Sequence, residues 1–317
     1  MASETTQAAM VDAARFHRIA EVRVVTPREP LDRAAFIRML FVAPALLISL
    51  SVVLVPLIVT VTLSFTNWDG FESPQFIGFA NFARLFSEAK FWAALRNNLL
   101  YTSLYVTLPM ILGLLIAMLL LMVRVGRTLF QVVFFLPSTI ATVVLAQIWK
   151  GMVYSPTTGM FGYLQRIGVP VSNPLAAPET ALMGVLFVDM WHWWGYLTVI
   201  YLGALRQVDK SLVEAAFIDG ATRFQVFTKV LLPSIRTTVL FMMLMTIIWS
   251  FRVFDWIYIM TEGGPGFASE VLGTLAYKTA FQQFAVGYAS SYSVMMSLVG
   301  LGAIIVYLRI QVRTERR

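Results

Sequence analysis

The feature that most constrains this chain is a set of long apolar runs almost free of charge. Residues 39–65 contain no Asp, Glu, Lys or Arg. A helix of that length exceeds the roughly 20 residues needed to cross a hydrocarbon core about 30 Å thick. Over the whole chain charged residues make up 13% and the mean hydropathy is +0.75, whereas soluble domains carry about 25% charged residues. The chain is therefore expected to use membrane lipid as its solvent.

Six apolar runs predict an all-α integral membrane protein with six transmembrane helices. They cover residues 39–65, 99–123, 128–149, 180–205, 237–260 and 286–308. We accordingly divide the chain into a cytoplasmic N-terminal tail at 1–38, a six-helix transmembrane domain at 39–309 and a cytoplasmic C-terminal tail at 310–317. Pro137 is expected to break the third run near its start.

The positions of the basic residues indicate the orientation. With both termini inside, seventeen of the twenty-four Lys and Arg residues fall on the inner side, six fall outside, and Arg252 lies within the fifth run. This bias follows the positive-inside rule, so it explains the net charge of +7 without a nucleic-acid partner. The polar segment 206–236 is then cytoplasmic. The N-terminal tail is expected to be either an amphipathic surface helix around residues 10–20 or a disordered leader.

Composition also excludes several kinds of chemistry. The chain has no cysteine and only two histidines, so we expect no disulfide, no thiol catalysis and no metal site. It contains neither a G-x-x-x-x-G-K-[ST] phosphate loop nor an H-E-x-x-H or G-x-S-x-G pattern. We therefore expect that this chain is not an enzyme and binds no cofactor itself.

A polar segment separates the fourth and fifth apolar runs, and it reads EAAFIDGATRFQVFTKVLLP over residues 214–233. Ser211 and Glu214 have the spacing of a capping box, in which a hydroxyl and a side chain three residues later satisfy free N–H groups. Thr222 and Gln225 have the same spacing. The segment therefore predicts two short helices, each with its own start signal.

Gly220 lies between the two boxes, where a helix end favours a residue without Cβ. Pro233 is expected to end the second helix, which completes a predicted helix–turn–helix. This segment resembles the EAA loop of ABC importer permeases. The resemblance rests on Glu214-Ala215-Ala216, Asp219-Gly220-Ala221 and Leu232-Pro233, and these residues together with Phe224 are the candidates for ATPase coupling.

The EAA resemblance implies a coupling role for the segment. In that family the loop is cytoplasmic and docks into a cleft on a separate ATP-hydrolysing subunit. Glu214 is then the candidate for an ion pair with a basic residue of the ATPase. Phe224 and Phe227 are expected to pack the loop against its own helical bundle. The alternative is an ordinary helical hairpin in which Glu214 is only a capping residue.

A wider resemblance extends from about residue 36 to about residue 310. The stretches SFTNWDG, RTLFQVVFFLPSTIA and SFRVFDWIYIMTEGGPG are similar to permeases of maltose-type carbohydrate importers. That likeness implies a bacterial cytoplasmic (inner) membrane, a homologous second permease, an extracytoplasmic solute-binding protein, a carbohydrate substrate and two ATPase subunits that bind ATP and Mg. The alternatives are an ion-coupled secondary transporter and a non-transporting membrane scaffold.

Polar residues within the fourth and fifth runs are candidates for the substrate path, because an ionisable group at membrane depth usually faces a partner or water. Asp189, Arg252 and Asp255 fall at similar depths, so we expect an inward-facing cluster open to a cavity. Aromatic residues nearby could stack on the apolar faces of a sugar. The candidates are Trp193, Trp194 and Tyr258. The alternative is that the aromatics are interface anchors and the charges only clamp two helices.

Overall fold

The computed structural model describes residues 33–123 and 125–315. It divides into two compact units, one up to Pro56 and one from Leu57 onward. The described residues are mostly helical and form no strand beyond an isolated antiparallel bridge between Thr66 and Phe76, which confirms the all-α prediction. The predictions for the N-terminal tail up to residue 32 and for residues 316–317 lie outside the described residues.

The first apolar run is helical over almost its whole length. Helix α1 covers Arg33–Ser49, a π-helical turn covers Leu50–Leu54, and α2 covers Val55–Leu63. The π turn comes just before Pro56, whose missing N–H cannot complete a regular α-helical turn. Residues 39–63 are long and apolar enough to cross a membrane.

The remaining helices follow from residue 80 onward. Their bounds are α3 Ala80–Ser87, α4 Ala89–Met122, α5 Arg127–Phe135, α6 Thr142–Ile148, α7 Met160–Arg166, α8 Pro178–Arg206, α9 Lys210–Ile218, α10 Arg223–Val226, α11 Leu232–Ser234, α12 Arg236–Phe251, α13 Asp255–Met260, α14 Leu272–Phe281 and α15 Val286–Glu315. The predicted second run is therefore the second part of a longer helix, α4, which begins ten residues earlier.

The centre of the fold is the contact between α4 and α8. A side chain at Gly113 would lie 2.8 Å from the Cβ of Leu197 and 3.2 Å from the carbonyl oxygen of Trp194. Glycine thus lets the two backbones approach closely, as small residues do at helix contacts in membranes. One to two turns further along both helices, Tyr201 and Leu202 of α8 are buried together with Ala117 and Leu120 of α4.

The third run is sharply bent, as Pro137 predicts. Helix α5 continues into a 3₁₀ turn at Leu136–Thr139, and the segment from Arg127 to Thr139 meets the segment from Thr142 to Val153 at 95°. Helix α5 lies directly on α8, because any Cβ at Gly195 would overlap the carbonyl oxygen of Phe134. The bent segment and α8 therefore pack backbone to backbone.

The fifth run is not a continuous helix, contrary to the prediction for 237–260. Helix α12 ends at Phe251, residues 252–254 are non-helical, and α13 begins at Asp255. The Asn98 side chain bridges this region, because its amide donates to the Phe251 carbonyl at 3.2 Å and its oxygen accepts from the Leu272 N–H at 2.8 Å. One side chain of α4 thus satisfies the end of α12 and the start of α14.

Three helical segments are long and apolar enough to cross a membrane, namely 39–63, 89–122 and 286–311, and two bent pairs raise the number to five. This finding covers only the described residues. Helix α8 has 29 residues, which span about 43 Å. It is not among these segments, because Asp189, His192 and several aromatic residues interrupt its apolar sequence.

Candidate functional site

The segment between α8 and α12 begins with a capped helix. Asp209 accepts a hydrogen bond from the Ser211 N–H at 2.9 Å, so Asp209 is the N-cap of α9. This bond lowers the pKa of Asp209, because it stabilises the charged carboxylate. The predicted capping box of Ser211 and Glu214 is therefore wrong. Helix α9 starts at Lys210, two residues before the start that a box with Ser211 as N-cap requires.

The turn and the second helix start agree with the sequence. Helix α9 ends at Ile218, and Gly220 adopts a positive φ of 80°, a conformation that residues with a Cβ rarely adopt. The Gln225 N–H donates to the Thr222 hydroxyl at 3.3 Å, and the Thr222 N–H donates to the Gln225 side-chain oxygen at 2.8 Å. This reciprocal pair confirms the second capping box.

Pro233 does not end the second helix. The helix passes through a π-helical turn at Phe227–Leu231 and ends one residue beyond the proline, at Ser234. A 70° bend then separates the segment 223–234 from α12. The π turn accommodates the missing N–H of Pro233, and the chain turns only at Ile235.

Residues of the EAA-like segment are mostly on the surface of the chain. Glu214, Ala215, Asp219, Gly220, Phe224 and Pro233 are exposed, whereas Ala216 and Ala221 are half-buried. Phe224 is 74% exposed, so the expectation that it packs against its own bundle is wrong. Ile218 is 86% exposed. The segment therefore presents large apolar side chains outward, beside the Glu214 carboxylate.

A groove of about 1040 Å³ runs along the inner side of this segment. Its walls are Met118, Leu121 and Met122 at the end of α4, and Phe224 and Phe227 on the segment itself. Its rim carries one carboxylate and four cations. These are Glu214, Arg127, Arg206, Lys210 and Arg223. The groove is an apolar cleft with a basic rim.

Arg127 fixes one wall of this groove. Its Nε donates to the Val123 carbonyl at 2.9 Å, and one terminal nitrogen donates to the Leu121 carbonyl at 2.8 Å. These bonds satisfy carbonyls at the end of α4, where the helix has no partners for them. The positive guanidinium also complements the negative end of the helix dipole.

Asp189 lies in the middle of α8 and is buried. Its carboxylate accepts hydrogen bonds from the Tyr101 hydroxyl at 2.5 Å and from the Tyr105 hydroxyl at 3.1 Å. The Trp256 indole supplies a third donor from α13. The carboxylate therefore joins α4, α8 and α13.

The predicted cluster of Asp189, Arg252 and Asp255 is divided by burial and by a helical break. Among the described residues no ion pair joins any two of these three side chains. Arg252 and Asp255 are exposed, whereas Asp189 is 5% exposed. The helical break separates Arg252 at the end of α12 from Asp255 at the start of α13, where a carboxylate complements the helix dipole.

The predicted aromatic residues form two separate groups. Trp193 stacks on Tyr196 with ring centroids 4.7 Å apart and meets Trp249 edge-on at the same distance. Tyr258 stacks on Phe254 at 5.1 Å and contacts Tyr277 at 5.0 Å. Trp194 is half-buried, and its carbonyl faces Gly113. Trp249 of the first group accepts a backbone hydrogen bond from the Arg252 N–H at 3.2 Å, whereas Phe254 and Tyr258 of the second group flank Asp255 in the chain.

The residues of α4 that organise this region were not among the predicted site residues. Tyr101 and Tyr105 are one helical turn apart, so both hydroxyls can reach one carboxylate. Asn97 donates to the carbonyls of Ala268 and Glu270 at 3.0 and 2.9 Å. The adjacent asparagines at the edge of an apolar run were the available signal, because buried amides require partners.

Comparison with known proteins identifies the family. A profile described as "Binding-protein-dependent transport system inner membrane component" matches residues 109–317. The probable ABC transporter permease protein YurN of Bacillus subtilis (strain 168) is 36% identical over 268 residues, which cover 83% of this chain and 91% of the relative.

Two further relatives carry sugar names. The probable starch degradation products transport system permease protein AmyD of Thermoanaerobacterium thermosulfurigenes is 32% identical, covering 85% of this chain and 92% of the relative. The trehalose/maltose transport system permease protein MalF of Thermococcus litoralis is 30% identical, covering 88% of this chain and 94% of the relative.

A solved structure shares the fold. A chain in the crystal structure of a bacterial alginate ABC transporter, in complex with an alginate pentasaccharide-bound periplasmic protein, has a TM-score of 0.77 and 23% identity. The match covers 88% of this chain and 95% of that chain. The protein belongs to the inner-membrane components of binding-protein-dependent transport systems, the ABC transporter permeases that its EAA-like segment resembles.

Proposed function

We propose that this chain is the permease subunit of an ATP-driven importer for carbohydrates. Six membrane crossings, at the runs listed from the sequence, place both termini and the segment 206–236 in the cytoplasm. The three continuous candidate crossings, the bent pair that covers residues 127–153, and α8 at 29 residues support this topology. The starch-product and trehalose/maltose relatives support a carbohydrate substrate.

The observation that carries the proposal is the exposed EAA-like segment. Ile218 and Phe224 are large apolar side chains that this chain leaves uncovered, and exposed apolar patches mark protein contacts. A separate ATPase subunit covers them, and Glu214 pairs there with one of its basic residues. ATP and Mg bind to two such ATPase subunits, so this chain needs no cofactor of its own.

The remaining partners follow from the same proposal. A second, homologous permease completes the translocation path, and an extracytoplasmic solute-binding protein delivers the sugar. Exposed Arg252 and Asp255, with half-buried Tyr258, face that path and contact the substrate. Trp193, Trp194 and the buried Asp189 hold its wall in place. The proposed domains are a cytoplasmic N-terminal tail at 1–38, a transmembrane domain at 39–309 and a cytoplasmic C-terminal tail at 310–317.

The test is the substitution Glu214→Lys in the assembled transporter. Charge reversal places a cation against the basic residue of the ATPase, so the ATPase subunits should no longer co-purify with the permease. Glu72→Lys reverses an exposed carboxylate on a different loop and serves as the control. Unchanged co-purification of the Glu214→Lys variant would contradict the coupling role. Sugar uptake that persists without ATP would favour an ion-coupled transporter instead.

A further inference from the structure

A second cleft lies at the opposite end of α4 from the groove along the EAA-like hairpin, residues 206–236. Lys90 in the first turn of α4 lines this cleft, whereas Met122 at the last position of α4 lines the groove. At 1.5 Å per residue the two positions are about 48 Å apart along the helix, more than a bilayer core of about 30 Å. The cleft, of about 720 Å³, is therefore on the side from which substrate arrives if the hairpin is cytoplasmic.

The charges around this α4 cleft cancel. Arg84 pairs with Glu88, with 2.9 Å between Nε and Oε1. Lys278 pairs with the buried carboxylate of Glu270, with 2.6 Å between Nζ and Oε2. Lys90 and Glu262 remain, and they have opposite signs. The lining holds three cations and two carboxylates. The buried Glu270 beside Lys278 brings the sum of charges to zero, so the cleft offers no net attraction to an ionic ligand.

Hydrogen-bonding groups that the chain itself does not use are nevertheless abundant there. The Lys278 ammonium donates to Glu270 and to the Glu262 carbonyl at 2.7 Å, which leaves one of its three donors for the cleft. Gln282 and Gln283 are exposed, and the described structure shows no side-chain hydrogen bond for either. Such mixed donors and acceptors match the hydroxyls of a sugar.

An aromatic ring is held at the edge of the same cleft. Phe267 has a φ of +66° and is 48% exposed, although a bulky residue rarely adopts a positive φ. The loop around it is cross-linked by hydrogen bonds, among them Thr261 to Ser269 at 2.8 Å and Asn97 to Ala268 at 3.0 Å. Backbone strain of this kind persists where the surroundings impose it and clusters at binding sites.

We propose that the α4 cleft is an entry subsite for an uncharged carbohydrate. Phe267 contacts the apolar face of a sugar ring, while the Lys278 ammonium and the Gln282 and Gln283 amides bind its hydroxyls. This cleft is lined by none of the candidate path residues of α8, α12 and α13, so it is a separate site. The volume is within the range of about 300–1,000 Å³ typical of small-ligand pockets. The inference rests on the proposed carbohydrate function and narrows it to neutral sugars.

The test measures sugar binding to the full-length chain in lipid nanodiscs by saturation-transfer difference NMR. The probes are maltose and trehalose as neutral sugars and glucose 6-phosphate as an anionic one. We expect binding of a neutral sugar that the phosphate does not displace. The variants Phe267→Ala and Gln283→Ala should each weaken it by about tenfold, equal to 1.4 kcal/mol.

Tyr163→Ala is the matched control, because Tyr163 is a 62% exposed aromatic residue on α7 that does not line the cleft. The subsite is refuted if neither neutral sugar binds, if glucose 6-phosphate binds more tightly, or if Phe267→Ala and Tyr163→Ala have the same effect. Because all three positions are exposed, a folding defect is readily checked by melting temperature. Co-purification of ATPase subunits reports independently on the proposed function, so its loss and the loss of sugar binding are distinguishable.

Discussion

At the scale of single residues, Asp189 illustrates how a carboxylate is accommodated within a long, mostly apolar helix. Its partners are two tyrosine hydroxyls and an indole rather than an arginine. Hydrogen bonds to a buried carboxylate replace those that water would make. The arrangement also satisfies the tyrosines, whose hydroxyls would otherwise be buried without an acceptor.

Replacing Asp189 with Leu should therefore destabilise the chain. The substitution leaves the Tyr101 and Tyr105 hydroxyls without their acceptor, and each buried unsatisfied group costs about 1–3 kcal/mol. The measurement is the melting temperature in detergent, followed by fluorescence-detected size exclusion. Arg252→Gln is the control, because Arg252 is exposed and unpaired among the described residues. Equal melting temperatures for the two variants would rule out the proposed role of the carboxylate.

At the scale of elements, local signals were predictable and distant ones were not. The turn at Gly220, the Thr222 box and the bend near Pro137 depend on neighbours within a few residues, so the sequence indicates them directly. The Tyr101–Asp189 bond joins residues 88 positions apart, and Asn98 reaches Leu272 across 174 positions. Such pairings depend on how the helices pack, which hydropathy does not specify.

The prediction that Arg252 and Asp255 share a helical face was wrong for a related reason. Arg252 and Asp255 are three positions apart, which would place them on one face of a continuous helix. The helix is not continuous, because it is broken at residues 252–254. Neither proline nor glycine occurs at these three positions, so no local breaker signals the interruption, and Asn98 on another helix provides the bonds that the break leaves open.

The substitution Asn98→Leu should loosen this break. It removes the donor to Phe251 and the acceptor for Leu272, so the start of α14 and residues 252–254 should open more often. Loss of about 1.4 kcal/mol from local opening corresponds to roughly tenfold faster amide exchange. Hydrogen–deuterium exchange with mass spectrometry measures it for peptides covering 252–254 and 272–275.

Leu99→Ala provides the comparison for this experiment, because Leu99 is adjacent on α4 and 54% exposed. Asn98→Asp keeps the acceptor and should have an intermediate effect. Exchange at residues 252–254 that is the same in Asn98→Leu and Leu99→Ala would show that the bridge does not hold the break.

At the scale of the whole molecule, the absence of cysteine makes the orientation directly measurable. Single cysteines at Phe224 on the hairpin and at Tyr163 on α7 should react differently with a membrane-impermeant maleimide. In intact cells with a permeable outer envelope, Tyr163→Cys should be labelled and Phe224→Cys protected, and inverted vesicles stripped of the ATPase subunits should reverse the pattern. Labelling of Phe224→Cys from outside would contradict a cytoplasmic hairpin.

The close contact at Gly195 has a consequence for the entire bundle. The space between this α-carbon and the Phe134 carbonyl admits a hydrogen atom but no methyl group. The absence of a Cβ at Gly195 therefore sets how closely α5 and α8 can approach. The bend that follows α5 depends on this contact for its position. A larger residue at position 195 would push the whole bent segment, residues 127–153, away from α8.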